Sequence, residues 1–444
     1  TKGVANNIIA SSTGDSGKSI EDLSKESEVH RLYGVYTQAL NYGKQATART
    51  QSAISVPAIF WLQGEWNYTQ EGSGLTSGTL PNNTKDGYKN LLLTLKNNMQ
   101  NDAQRIYNQT DKPLFITYQT GGMYVRGRQV AIGMAQIEAA NENDDIVCAG
   151  PVYQMTNYNH GHLDANGYRW YGEMLGKVYN KTVIEGEKFI PLQPKSISRD
   201  TVNLKKIRIK FHVPVAPLVL DTKTMPQITN YGFQVYQNRN FQTITDVQVI
   251  SDDEVEITCA ADIALASDVE ITYAGQDAVG QGNLRDSDPY QAVFNYVDID
   301  AKEGGNYIYP RNNNRSLRPA YEPKNAVGQT IYNQPYPLYN FCVGFYYIVP
   351  KNVNKLIIMQ YEPNGIKNPT LKKNISLVQN GKTLKVIAPQ QSVICLKIFD
   401  LNGKLISDFG SQTATDYPLD FLQSGVYLAM VKTDSGVVSG KIKL

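Results

Sequence analysis

The chain has 444 residues, room for two to four domains of about 100–200 residues each, and its 41% hydrophobic and 19% charged content is that of a globular protein. Forty-three basic against 41 acidic residues leave a formal charge of +2 with no basic block, which argues against nucleic acid as the main partner. No apolar run approaches the ~18–20 residues of a membrane span, and no signal peptide is visible.

Residues 1–187 alternate between strand and helix patterns. Short apolar runs at Ile8–Ser11, Val56–Leu62, Leu114–Tyr118 and Ile146–Ala149 predict buried parallel strands. Helical periodicity lies between and after them, at Tyr33–Ala46, Tyr88–Ile106, Gln129–Ala140 and Gly167–Tyr179. Such alternation predicts an α/β layered domain. Period-2 runs take over in 188–372: Ile207–Val213, Phe233–Tyr236, Val247–Ile250, Val255–Cys259, Val269–Tyr273 and Leu338–Val349. They predict a β-sandwich with long loops at about 275–335. Residues 373–444 read as a second, small sandwich with a hairpin turn at Asn402-Gly403. Cys148, Cys259, Cys342 and Cys395 lie far apart in apolar runs without a CxxC pair, which predicts buried thiols and no metal centre.

In an open parallel sheet ligands gather beyond the carboxyl ends of the strands. Those ends read Thr13-Gly14-Asp15-Ser16-Gly17-Lys18, Gln63-Gly64-Glu65-Trp66, Gln119-Thr120-Gly121-Gly122 and Asn159-His160-Gly161-His162. Polar groups and glycines at four successive ends mark a candidate site.

Three of these stretches resemble the SGNH hydrolases, in the branch of sialate O-acetylesterase-like carbohydrate esterases. Trp61-Leu62-Gln63-Gly64-Glu65 is similar to a W-x-Q-G-E block, His162-Leu163 with Gly167-Tyr168 to the closing His block, and Ile8–Ser12 with Gly17–Glu21 to the second block. Gly282-Asn283-Leu284-Arg285-Asp286-Ser287 resembles a stretch of these multidomain esterases, so the likeness covers about residues 1–350. It implies a flavodoxin-like three-layer α/β domain, with or without its first strand, followed by β-sandwich domains. It also implies acyl transfer to serine without metal or cofactor. His162 would be the base, Asn159 its orienting neighbour, and Gln63 and the Gly17 N–H the oxyanion donors, with Glu65 and Trp66 on the substrate side.

The nucleophile has two readings. Either Ser16, 146 residues before His162, is a G-D-S nucleophile, or the serine lies on a strand outside this sequence, since only 16 residues precede Gly17. Ile398–Leu405, Leu422–Tyr427 and Lys441–Leu444 resemble the type IX secretion sorting domain of Bacteroidetes. The expectation is therefore a secreted or cell-surface carbohydrate esterase acting on O-acetylated glycans, exported through its C-terminal domain. The other reading is a non-catalytic glycan-binding or virion/surface structural protein on the same scaffold.

Overall fold

The computed structural model describes residues 8–29, 31–69, 74–158, 162–297, 323–359, 376–387, 393–399, 405–410, 416–433 and 436–443. The chain divides into two compact units, Thr1–Ile366 and Lys367–Leu444, so the segment read as 1–187 and residues 188–366 share one unit.

In the first unit a capping box between Ser19 and Asp22 starts the single turn α1 (Ile20–Leu23). Helix α2 (Tyr33–Arg49) buries Tyr33, Tyr36, Leu40 and Gly43 along one stripe. Strand β1 (Ala58–Trp61) leads into the short helix α3 (Glu65–Thr69). Thr84 caps α4 (Lys85–Tyr107), which buries Leu92, Leu95, Met99 and Ile106 and ends on left-handed Asn108. Strand β2 (Leu114–Gln119), a 3-10 turn at Gly122–Tyr124, α5 (Ala131–Glu142) and β3 (Ile146–Pro151) follow. The two-residue strands β4 (Asn157–Tyr158) and β5 (His162–Leu163) then pair, and α6 (Ala165–Tyr179) closes the region.

Strands β1, β2 and β3 form one parallel sheet in that order. Alternation along the strands sends Phe115 and Ile146 into the core shared with α4 and α5, and Ile116, Tyr118, Val147 and Ala149 into the core shared with α6. Helices therefore cover both faces, as the α/β reading requires. The strand expected at Ile8–Ser11 does not form. Ile8 and Ile9 are 80% and 57% exposed, and no strand pairs with them among the described residues. A strand is held by hydrogen bonds to a neighbouring strand, and among the described residues Ile8–Ser11 has none.

The remainder of the unit is antiparallel. A four-stranded sheet (240–242, 233–237, 269–273, 345–349) faces a five-stranded one (244–251, 254–259, 206–212, 193–199, 355–357). Their inner residues, Phe233, Val235 and Ile271 against Ile197, Ile209 and Ile257, belong to one core continuous with the α4/α5 side of the α/β layers. The Gly282–Ser287 stretch joins the parts. Asn283 donates to the Asp221 and Pro226 carbonyls at 2.8 and 3.0 Å. Fully buried Asp286 accepts from the Val215 N–H at 3.1 Å and the Asn340 amide at 2.6 Å. From α6, Lys177 pairs with Asp288 at 2.7 Å. Burial holds Lys177 below its ordinary pKa, against the opposing pull of Asp288.

The second unit is two antiparallel sheets, 376–380/383–387/416–418 and 405–408/393–399/426–433/436–443, around Leu384, Leu396, Ile398 and Val431. Cys148, Cys259 and Cys342 are buried free thiols, while the Cys395 side chain lies outside the described residues. No helix among the described residues is long and apolar enough to cross a membrane.

Candidate active site

The carboxyl ends of β1 and β2 are tied together by one buried side chain. Gln136 of α5 donates to the Gln63 carbonyl at 2.9 Å and accepts from the Thr120 N–H at 2.9 Å. One residue earlier, Gln119 accepts from the Gly344 N–H at 2.6 Å, fastening the end of β2 to the sandwich. Tyr153, after β3, donates to the Cys342 carbonyl at 2.6 Å.

Between these ends lies a cleft of about 160 Å³. Glu65 stands at the end of β1, Gly121, Gly122 and Met123 follow β2, and Val152 and Tyr153 follow β3. Asn157 and Leu163 enter from the β4/β5 hairpin, and Val279 and Gln281 from a sandwich loop. The volume is about half the ~300 Å³ at which drug-sized pockets begin, so it suits an acyl group or part of one sugar.

Glu65 is the charged group of the cleft. Its Oε1 accepts hydrogen bonds from the Tyr118 hydroxyl and, at 2.8 Å, from Thr120 Oγ1. Its Oε2 accepts none from the described residues. Burial, together with the neighbouring carboxylate, pushes the Tyr118 phenol far above its usual pKa, so Tyr118 remains a donor.

His162 and Tyr124 each adjoin a lining residue in sequence, Leu163 and Met123. Their side chains meet: the Tyr124 hydroxyl and His162 Nε2 are 2.8 Å apart, with the rings edge-on at 5.6 Å. Asp164 is the N-cap of α6, accepting from the Gly167 N–H at 2.8 Å and from Thr156 Oγ1 at 2.7 Å. Burial raises its pKa. Asp164 thus holds the start of α6.

Other expected site residues take different positions. Gln63 is buried, and its amide donates to the Lys18 carbonyl at 3.1 Å and to Asn67 Oδ1 at 2.7 Å, so neither proton is left for an oxyanion. Asn67 also links α1, through the Ile20 N–H at 3.0 Å and Glu21 at 2.9 Å. Ser16 is exposed; its N–H donates to Asp15 at 2.9 Å, and its hydroxyl bonds to no described residue. Gly17 adopts a left-handed φ of 63° and lies against the Trp66 ring, whose Nε1 is buried and unpaired. Trp66 therefore supports the Ser16-Gly17 turn instead of offering an open ring to a sugar. Asn159 and His160 lie outside the described residues. The sequence reading missed Tyr124, Tyr153, Asn157, Val279 and Gln281; Gly121-Gly122 shortly before Tyr124 and Gly280 after Val279 were the available signal.

No family model matches the sequence, and no curated protein matches it. Among solved structures, the S-layer protein rSbsC(31-844) is 13% identical at a TM-score of 0.20, over 64% of this chain and 44% of that one. The N-terminal part of the bacterial S-layer protein SbsC is 10% identical at 0.18, over 94% and 79%. The Bacteroides ovatus mixed-linkage glucan utilization locus protein SGBP-B, in complex with a mixed-linkage heptasaccharide, is 13% identical at 0.12, over 56% and 44%. This chain spans less than half the length of the first of these structures.

Proposed function

We propose that this chain is the scaffold of an SGNH-type carbohydrate esterase that removes O-acetyl groups from glycans. The observation that carries the reading is one cleft at the carboxyl ends of a parallel sheet, holding Glu65, backbone of Gly121 and Gly122, and the His162 hairpin. His162 is the base for a serine hydroxyl, and Tyr124 at 2.8 Å positions the imidazole until substrate arrives. Because Gln63 is committed to its own network, backbone N–H groups carry the oxyanion. The edge of β1 away from β2 is unpaired among the described residues, and Phe60 beside it is 49% exposed. A strand carrying the serine that pairs along this edge delivers its hydroxyl to the same cleft. The C-terminal unit acts as a sorting domain of the type IX kind for export to the cell surface or medium. In support, the Tyr427 hydroxyl donates to the Gln423 carbonyl at 3.1 Å and closes the turn of the L-x-S-G-V-Y stretch.

Acetate release from p-nitrophenyl acetate and O-acetylated glycans by the complete gene product tests the reading. Release that survives Ser16→Ala and is lost in His162→Ala is the expected result; no release under any condition overturns it. The second reading, a non-catalytic glycan-binding or surface structural protein, is favoured by the unbonded Ser16 hydroxyl and the spent Gln63 amide.

A further inference from the structure

The sandwich contributes one wall of the cleft, and the backbone there is strained. Val279 ends the 3-10 turn Gln276–Ala278 at a φ of 54°, in the left-handed region. Glycine or asparagine takes such a capping position at little cost, whereas a β-branched residue is a true outlier there. Burial in the free protein repays little of that cost, because Val279 is 52% exposed. The next residue makes the conformation rigid. Gly280 has a φ of 66°, and its carbonyl accepts from the Gly122 N–H at 2.9 Å. From the other side the Gly127 N–H donates to Gln276 at 2.5 Å, so the loop is pinned at two points to the turn after β2. Gln281 follows and lines the cleft; its backbone N–H donates to the Ala278 carbonyl at 3.0 Å, and its side-chain amide bonds to no described residue.

We infer that Val279 and Gln281 form a recognition wall for an acetylated sugar. The acetyl methyl packs on Val279, Val152 and Leu163, the Gln281 amide and Glu65 Oε2 take ring hydroxyls, and the acetyl carbonyl is left to the backbone N–H groups. The ligand completes the burial that Val279 lacks in the free protein. This rests on the esterase reading for the identity of the acyl group, but it concerns binding rather than turnover.

Saturation-transfer NMR with N-acetylglucosamine and 6-O-acetylglucose, against unacetylated glucose, tests it on the full chain. The acetyl methyl is expected to receive the strongest saturation, with glucose bound at least about tenfold more weakly. Val279→Gly and Gln281→Ala are each expected to weaken acetyl-sugar binding about five- to tenfold with the circular dichroism spectrum unchanged. Equal binding of glucose, or folded variants that bind as the parent does, overturns the inference. Acetyl-sugar binding with no acetate release by the complete gene product removes the esterase reading and leaves the wall intact. Acetate release with both variants unaffected does the reverse.

Discussion

Replacing Gln63 separates a catalytic amide from a structural one. Gln63→Ala removes two donated hydrogen bonds, to the Lys18 carbonyl and to Asn67 Oδ1, and one accepted from Tyr88 at 2.9 Å. Tyr88 keeps the Gln63 carbonyl as acceptor at 3.0 Å, so that group is not stranded. Asn67 Oδ1 likewise keeps the Ile20 N–H. The net loss is two buried hydrogen bonds at about 1 kcal/mol each plus the void left by the side chain, about 2–4 kcal/mol in all. Gln63→Glu is expected to lose at least as much, because it sets a carboxylate against two acceptors. Urea unfolding followed by tryptophan fluorescence reads this cleanly, since Trp61, Trp66 and Trp170 all lie in the first unit. A Gln63→Ala change below about 0.5 kcal/mol would refute the network and return the amide to the site.

Three further outcomes follow from the same structure. Gly280→Ala places a Cβ 2.1 Å from the Gly122 carbonyl oxygen at a φ of 66° and should cost about 2–4 kcal/mol in the same assay. A cost below about 1 kcal/mol contradicts the pinned loop. Asp102 accepts from Lys25, Tyr33 and Arg105 at 2.9–3.0 Å. Burial raises its pKa, but these partners outweigh burial and hold it below the ordinary value. Its stabilisation is therefore present above the unfolded pKa of about 3.9 and is lost as pH falls through the lower native value. Asp102→Asn should flatten the acid limb of stability against pH; parallel curves for parent and variant would count against this. Arg199 donates to the Ala264, Ser267, Pro350 and Val353 carbonyls, and Arg199→Ala should destabilise the first unit by about 3 kcal/mol. An unchanged urea midpoint would show that water replaces those bonds.

The elements that could be read in advance are those whose period matches their burial. Leu92, Leu95, Met99 and Ile106 disclose α4, and the apolar runs of β2 and β3 disclose strands covered on both faces. Strand 193–199 went unread because Gln-Pro-Lys-Ser-Ile-Ser-Arg has one large apolar residue, and its buried Arg199 is satisfied by carbonyls about 65–155 residues away in sequence. Ile8–Ser11 failed in the opposite sense: its composition is that of a strand, but strand formation needs a partner edge that a local pattern does not reveal. At the site, strand ends pointed to Glu65 and to His162. The hydrogen-bond commitments of Gln63, the cover of Gly17 on Trp66 and the wall at Val279–Gln281 arise from groups distant in sequence, and no spacing encodes them.

In the proposed esterase, His162 serves a serine at this cleft. Labelling the complete gene product with a fluorophosphonate and mapping the modified residue by mass spectrometry tests it most directly. One labelled serine is expected, with labelling slowed at least about a hundredfold by His162→Ala. Labelling that proceeds equally well without His162, or no labelled serine at all, would contradict it.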